Sequence, residues 1–70
     1  MNEVYEWVLH WVLFHLEYVK DVSEDDIFRI TEETLRDYDM KYPDVLSDND
    51  YDDIFTGVSD TLISRYGLEE

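Results

Sequence analysis

Few side chains in this sequence could carry covalent or metal chemistry. It contains no cysteine and only two histidines, His10 and His15, which excludes thiolate nucleophiles, disulfides and cysteine zinc sites. No glycine-rich phosphate loop is present, since the two glycines are Gly57 and Gly67. Glu6 and His10 lie one helical turn apart, a spacing that suits a proton relay or two ligands of a metal. One such pair falls short of the ligand set that zinc requires, so a solvated pair is expected. His15 falls within the apolar face of its segment. There a hydrogen-bonded core or interface role is expected ahead of a ligand or a pH switch. Asp48, Asp50 and Asp52 have the spacing of the first three ligands of a helix–loop–helix calcium site. The pattern breaks where that loop needs glycine, at Asp53, and where it needs a bidentate glutamate, at Ser59. No metal, no cofactor and no enzymatic activity is expected.

What the chain does have is carboxylates. Of its 70 residues, 19 are acidic and 5 basic, for a net charge of −14 and a pI near 4.1. Direct nucleic-acid binding through a basic surface is thereby excluded, because phosphate contacts need Lys and Arg. The charge is also uneven: residues 44–70 carry −7 of it. Asp44, Asp48, Asp50, Asp52, Asp53 and Asp60 follow one another with no base between Tyr42 and Ser64. Solubility in a small domain needs a net charge of only about 2 to 8. The excess therefore points to a basic partner that would relieve the self-repulsion.

With 44% hydrophobic and 16% aromatic residues the chain is no disordered acidic tail, and a single all-α domain, a small three-helix bundle over residues 1–70, is expected. Helix 1 is expected over Glu3 to Lys20, a stretch with neither Gly nor Pro. Glu3, Glu6, His10, Glu17 and Lys20 share one narrow stripe at about 100° per residue, leaving the rest of the circumference apolar. Either helix 1 is the central helix of the bundle, or the chain dimerises or meets an apolar partner through Trp7, Trp11, Phe14, His15 and Tyr18. Helix 2 is expected over residues 24–42. Ser23 is its cap, Val22 and Ile27 form a hydrophobic staple, Ile27, Ile30, Thr34, Leu35 and Tyr38 its inner face, and Pro43 its stop. Arg29 is spaced to pair with Asp25 or Glu33, and Arg36 with Glu32. Helix 3, over residues 48–66, repeats these signals with Ser47 as cap and Leu46 and Tyr51 as staple. Its inner face is Tyr51, Ile54, Phe55, Val58, Leu62 and Tyr66, and Gly67 with Leu68 forms a left-handed cap. Gly57, inside helix 3, either permits a close helix approach or marks a weak point.

The N-terminal apolar stretch lacks the basic start of a signal peptide and the roughly 20 residues of a membrane span. A cytoplasmic setting, in a bacterium or an infected host cell, fits that pattern.

Helix neighbours three or four residues apart are spaced by about 5 to 6 Å, comparable with successive phosphates on a nucleic-acid strand. The six aspartates, with Tyr51 among them and Tyr38 and Tyr42 nearby, are the candidate partner-binding face. In size and charge the chain resembles the loose class of phage-encoded DNA mimics that includes anti-CRISPR and anti-restriction proteins. That compositional likeness implies an inhibitor that occupies the nucleic-acid site of a nuclease, a CRISPR or restriction effector, or a transcription factor. A second reading is an immunity protein or antitoxin against a nuclease toxin. Tyr42-Pro43 resembles part of the paired tyrosines and proline at the binding helix of colicin-type immunity proteins. A third reading is a structural protein that assembles through helix 1.

Overall fold

Capping chemistry sets where the second and third helices begin. The computed structural model describes residues 2–68; Glu69 and Glu70, counted in the C-terminal charge, lie outside them. Three helices follow in order: α1 over Asn2–Leu16, α2 over Glu24–Lys41 and α3 over Asp48–Arg65. At the start of α2 the Ser23 hydroxyl accepts from the Asp26 amide, while the Asp26 carboxylate accepts from the Ser23 amide at 3.1 Å. At the start of α3, Ser47 and Asp50 form the same reciprocal box. Each box satisfies donors that a helix start leaves without partners. At the other end of α3, Gly67 takes φ +67°. The Leu68 amide donates to the Ile63 carbonyl at 2.9 Å and the Gly67 amide to Ser64 at 3.2 Å, completing the left-handed cap. Leu68 packs back on the core.

Helix 1 stops four residues short of the expected Lys20. After Leu16 the amides of Tyr18 and Val19 donate three residues back, to His15 and Leu16, tightening the last turn before Asp21 reverses the chain at φ +58°. Aspartate tolerates that left-handed geometry, so neither Gly nor Pro is needed. The early reversal lets Val19 and Val22 press on the core. A second left-handed aspartate, Asp44 at φ +68°, turns the chain after Pro43.

The core is a single cluster. Val4, Val8, Val12 and Leu16 of α1 meet Ile27, Ile30 and Leu35 of α2 and Ile54, Val58 and Leu62 of α3. Burial of this cluster is the main force holding the bundle, at about 25 cal/mol per Å² of apolar surface. The Cα radius of gyration is 11.7 Å, near the ~11 Å of a compact domain of this length. The centre of the bundle is α2, which packs along both other helices, while α1 meets α3 more narrowly. That narrow contact explains Gly57. A Cβ there would lie 3.0 Å from Cε2 of Tyr5, and the Tyr5 hydroxyl is 2.6 Å from Thr61 Oγ1, which itself donates to the Gly57 carbonyl at 2.8 Å. Gly57 permits a close approach.

Two further expectations are corrected. Tyr66 stands at the C-cap and is exposed, so the inner face of α3 ends at Leu62. Arg29 pairs with Asp26 at 3.2 Å, one turn nearer the cap, and not with Asp25 or Glu33; Arg36 pairs with Glu32 at 3.0 Å as expected. Thr31 and Ser59 are fully buried with hydroxyls that have no hydrogen-bond partner.

Candidate functional site: an acidic surface beside an aromatic ladder

The fold does not gather the six aspartates on one face. Along α3, residues progress by about 100° each, and Ile54, Val58 and Leu62 define the buried side. Asp53 and Asp60 then fall together on the side opposite the core, two turns and ~10.5 Å apart along the axis. Both are exposed. Asp48 and Asp52 fall on the flank towards α2, and Asp52 lines a cleft of about 240 Å³ with Glu32, Tyr51 and Phe55. Asp44 sits exposed in the turn before α3. Asp50 is different in kind, because its carboxylate is engaged in the cap of α3, so it serves the fold before it serves any partner.

Tyr51 is half-buried in the α2/α3 cleft. Burial raises its phenol above the ordinary value and the Glu32 carboxylate pushes the same way, with Arg36 opposing. The phenol therefore stays protonated and can donate a hydrogen bond. At the far end of α2, Asp26 is held below the usual carboxylate value of 3.8, first by the Ser23 amide and then by Arg29. Salt bridges among the described residues are Arg29–Asp26 and Arg36–Glu32. Both lie within α2, so two of the five bases are spent on neighbouring acids and the acidic surface keeps its sign.

The residues expected at an oligomer interface are brought together with two more. Trp7 packs edge-on to Tyr38 at 5.0 Å between ring centroids, and Tyr38 meets Tyr42 at 4.9 Å. From Trp7 the series continues to Trp11 at 6.1 Å, to Phe14 at 5.6 Å and to Tyr18 at 5.6 Å. Six rings thus form a ladder along one side of α1 and across the end of α2. Trp11 and Phe14 are 40% and 38% exposed and Tyr18 is 79% exposed, so the ladder is a surface feature. His15 is exposed beside it, which removes the core alternative of the core or interface role expected for it. It lines the α1/α2 groove with Trp7, Trp11, Thr34, Asp37 and Lys41, a space of about 280 Å³. Tyr38 and Tyr42, expected as anchors among the α3 acids, belong to this ladder instead. Asp37 was not among the expected site residues, and its only sequence signal is that it stands seven residues after Ile30 on the flank of α2.

No group of three or more His, Asp or Glu side chains among the described residues is placed to hold a metal ion, and no helix among them is long and apolar enough to cross a membrane.

No family model matches the chain, and no curated protein or solved structure matches it.

Proposed function

We propose that this chain is a protein inhibitor whose carboxylate surface occupies the basic, nucleic-acid-binding surface of another protein, a nuclease, a CRISPR or restriction effector, or a transcription factor. The observation that carries this reading is the exposed face of α3. Asp53 and Asp60 stand ~10.5 Å apart along the helix axis on the side opposite the core, two exposed negative charges held on one rigid face. No base lies in sequence between Tyr42 and Ser64 to interrupt that surface.

The mechanism is competition. A net charge of −14 attracts a basic site at long range and speeds association. Half-buried Tyr51, between Glu32 and Asp52, supplies a phenol that donates to an acceptor on the partner once water is expelled. Binding also relieves the mutual repulsion of the carboxylates.

The test compares wild type with the variant Asp48→Asn/Asp52→Asn/Asp53→Asn/Asp60→Asn as bait in host lysate. Asp50 is left untouched because it caps α3. Wild type is expected to retain a nucleic-acid-processing protein at about 0.1 M salt and release it at about 0.5 M, and the variant to retain it at least tenfold less. Equal retention by both baits would refute the reading. An antitoxin or immunity protein would instead give rescue from one toxin that survives this substitution.

A further inference from the structure

We infer that the groove between α1 and α2 receives an arginine side chain of the basic partner, stacked on the aromatic ladder at Trp11 and paired with Asp37. The inference rests on the proposed function for the sign of the partner's charge. It adds the site of closest contact and the residue recognised, on a part of the surface that the aspartates of α3 do not reach.

Three observations converge there. The first is apolar and aromatic. Trp7, Trp11 and Phe14 continue one another along α1 with Trp11 and Phe14 substantially exposed, although the core of the same helix is fully served by Val4, Val8, Val12 and Leu16. Trp7 packs partly against that core, whereas Trp11 and Phe14 stand outside it and do not fill the bundle. The second is charge. Asp37 lines the groove opposite Trp7 and Trp11, and it takes no part in the salt bridges among the described residues, which are Arg29–Asp26 and Arg36–Glu32. The third is internal: Lys41 already places its Nζ 5.8 Å from the centroid of Tyr42, the last ring of the ladder. The ladder therefore holds a cation against a ring face within its own chain.

Charge complementarity chooses the occupant. A second copy of this chain would bring another −14 to the interface, whereas a basic segment brings the opposite sign. Between the two basic side chains, arginine fits better. Its guanidinium is planar and weakly hydrated, stacks on tryptophan, and can offer paired N–H donors to one carboxylate while stacked. A lysine ammonium keeps its water and presents no plane to stack. Lys41 lines the same groove and opposes an incoming cation, so its removal should favour binding.

The test uses nona-arginine and nona-lysine as probes at about 0.15 M salt, read by the emission of Trp7 and Trp11, the only two tryptophans in the chain. Nona-arginine is expected to shift the emission and to bind about fivefold or more tighter than nona-lysine. Trp11→Leu and Asp37→Asn should each abolish that preference, and Lys41→Gln should tighten nona-arginine binding. Asp37 is exposed, so its variant preserves the fold, which circular dichroism checks. Asp53→Asn/Asp60→Asn should weaken both peptides alike and leave the preference intact. Equal binding of both peptides without a change in emission would overturn the groove assignment while leaving the electrostatic reading standing. Failure of both peptides to bind would overturn both readings. Sedimentation showing a dimer that Trp11→Leu dissociates and nona-arginine does not would make a second copy the occupant and overturn the inference.

Discussion

Replacing Gly57 by alanine would ordinarily stabilise a helix interior by about 1 kcal/mol. In this bundle the sign should reverse. The added Cβ would lie 3.0 Å from Tyr5 Cε2, closer than carbon atoms pack, so the ring must move. Its hydroxyl lies 2.6 Å from Thr61 Oγ1 and donates to the Gly57 carbonyl at 3.3 Å, and a displaced ring loses these contacts. Loss of one net hydrogen bond costs about 0.5 to 1.5 kcal/mol, and overpacking at a helix contact about 1 to 3 kcal/mol. Set against the propensity gain, Gly57→Ala should destabilise the protein by about 1 kcal/mol. With the ring gone, in a Tyr5→Ala background, the same substitution should stabilise by about 1 kcal/mol, so the coupling between the two sites is about 2 kcal/mol. The four proteins would be compared by urea unfolding followed by circular dichroism, in about 0.3 M sodium sulfate so that the weakest remains folded. An effect of Gly57→Ala that is the same in both backgrounds would refute the close-approach account.

Other consequences of the structure are as specific. Ser47→Ala should lower stability by about 1 kcal/mol through loss of the α3 cap, read as a lower urea midpoint at an unchanged slope. Thr31→Val removes a buried hydroxyl with no partner at constant shape, and should leave stability unchanged or raise it by up to about 1 kcal/mol. Asp26 has a folded value depressed below 3.8, so its contribution is present above that pH and is lost as pH falls through the folded value. The stability difference between wild type and Asp26→Asn should therefore be largest near neutrality and vanish in strong acid. At about 0.01 M salt the screening length is about 30 Å, comparable with the 35 Å long axis of the molecule. Raising salt to 0.15 M shortens it to about 8 Å, so the melting temperature should rise over that interval; a fall would contradict net self-repulsion.

The parts of the fold that are legible in the sequence are those with local causes. Ser23 and Ser47 announce two helix starts because capping is settled within four residues, and Gly67 announces the end of α3 because it alone takes a left-handed φ there without a Cβ penalty. The end of α1 is not legible, since Asp21 performs the reversal without Gly or Pro and its reason lies in the packing of Val19 and Val22. The choice of Asp26 over Asp25 by Arg29 depends on rotamers at the cap. Apolar periodicity finds Leu35 and Leu62, yet it cannot separate the core side of α1 from its aromatic flank, because both are apolar. The ladder itself needs Tyr38 to meet Trp7, a contact between residues 31 apart in sequence. For the α3 acids, the run is visible but its division among cap, flank and open face depends on helix phase, which is why Asp50 departs from its neighbours.

The central claim is that the carboxylate surface stands in for nucleic acid, and competition tests it most directly. With the captured partner held at about 0.1 M salt, duplex DNA would be titrated against this protein and the bound fraction of each measured. The account predicts mutually exclusive binding, with DNA displacing the protein completely and the protein's affinity falling steeply as salt rises. A ternary complex that holds DNA and this protein together, unaffected by salt, would contradict it.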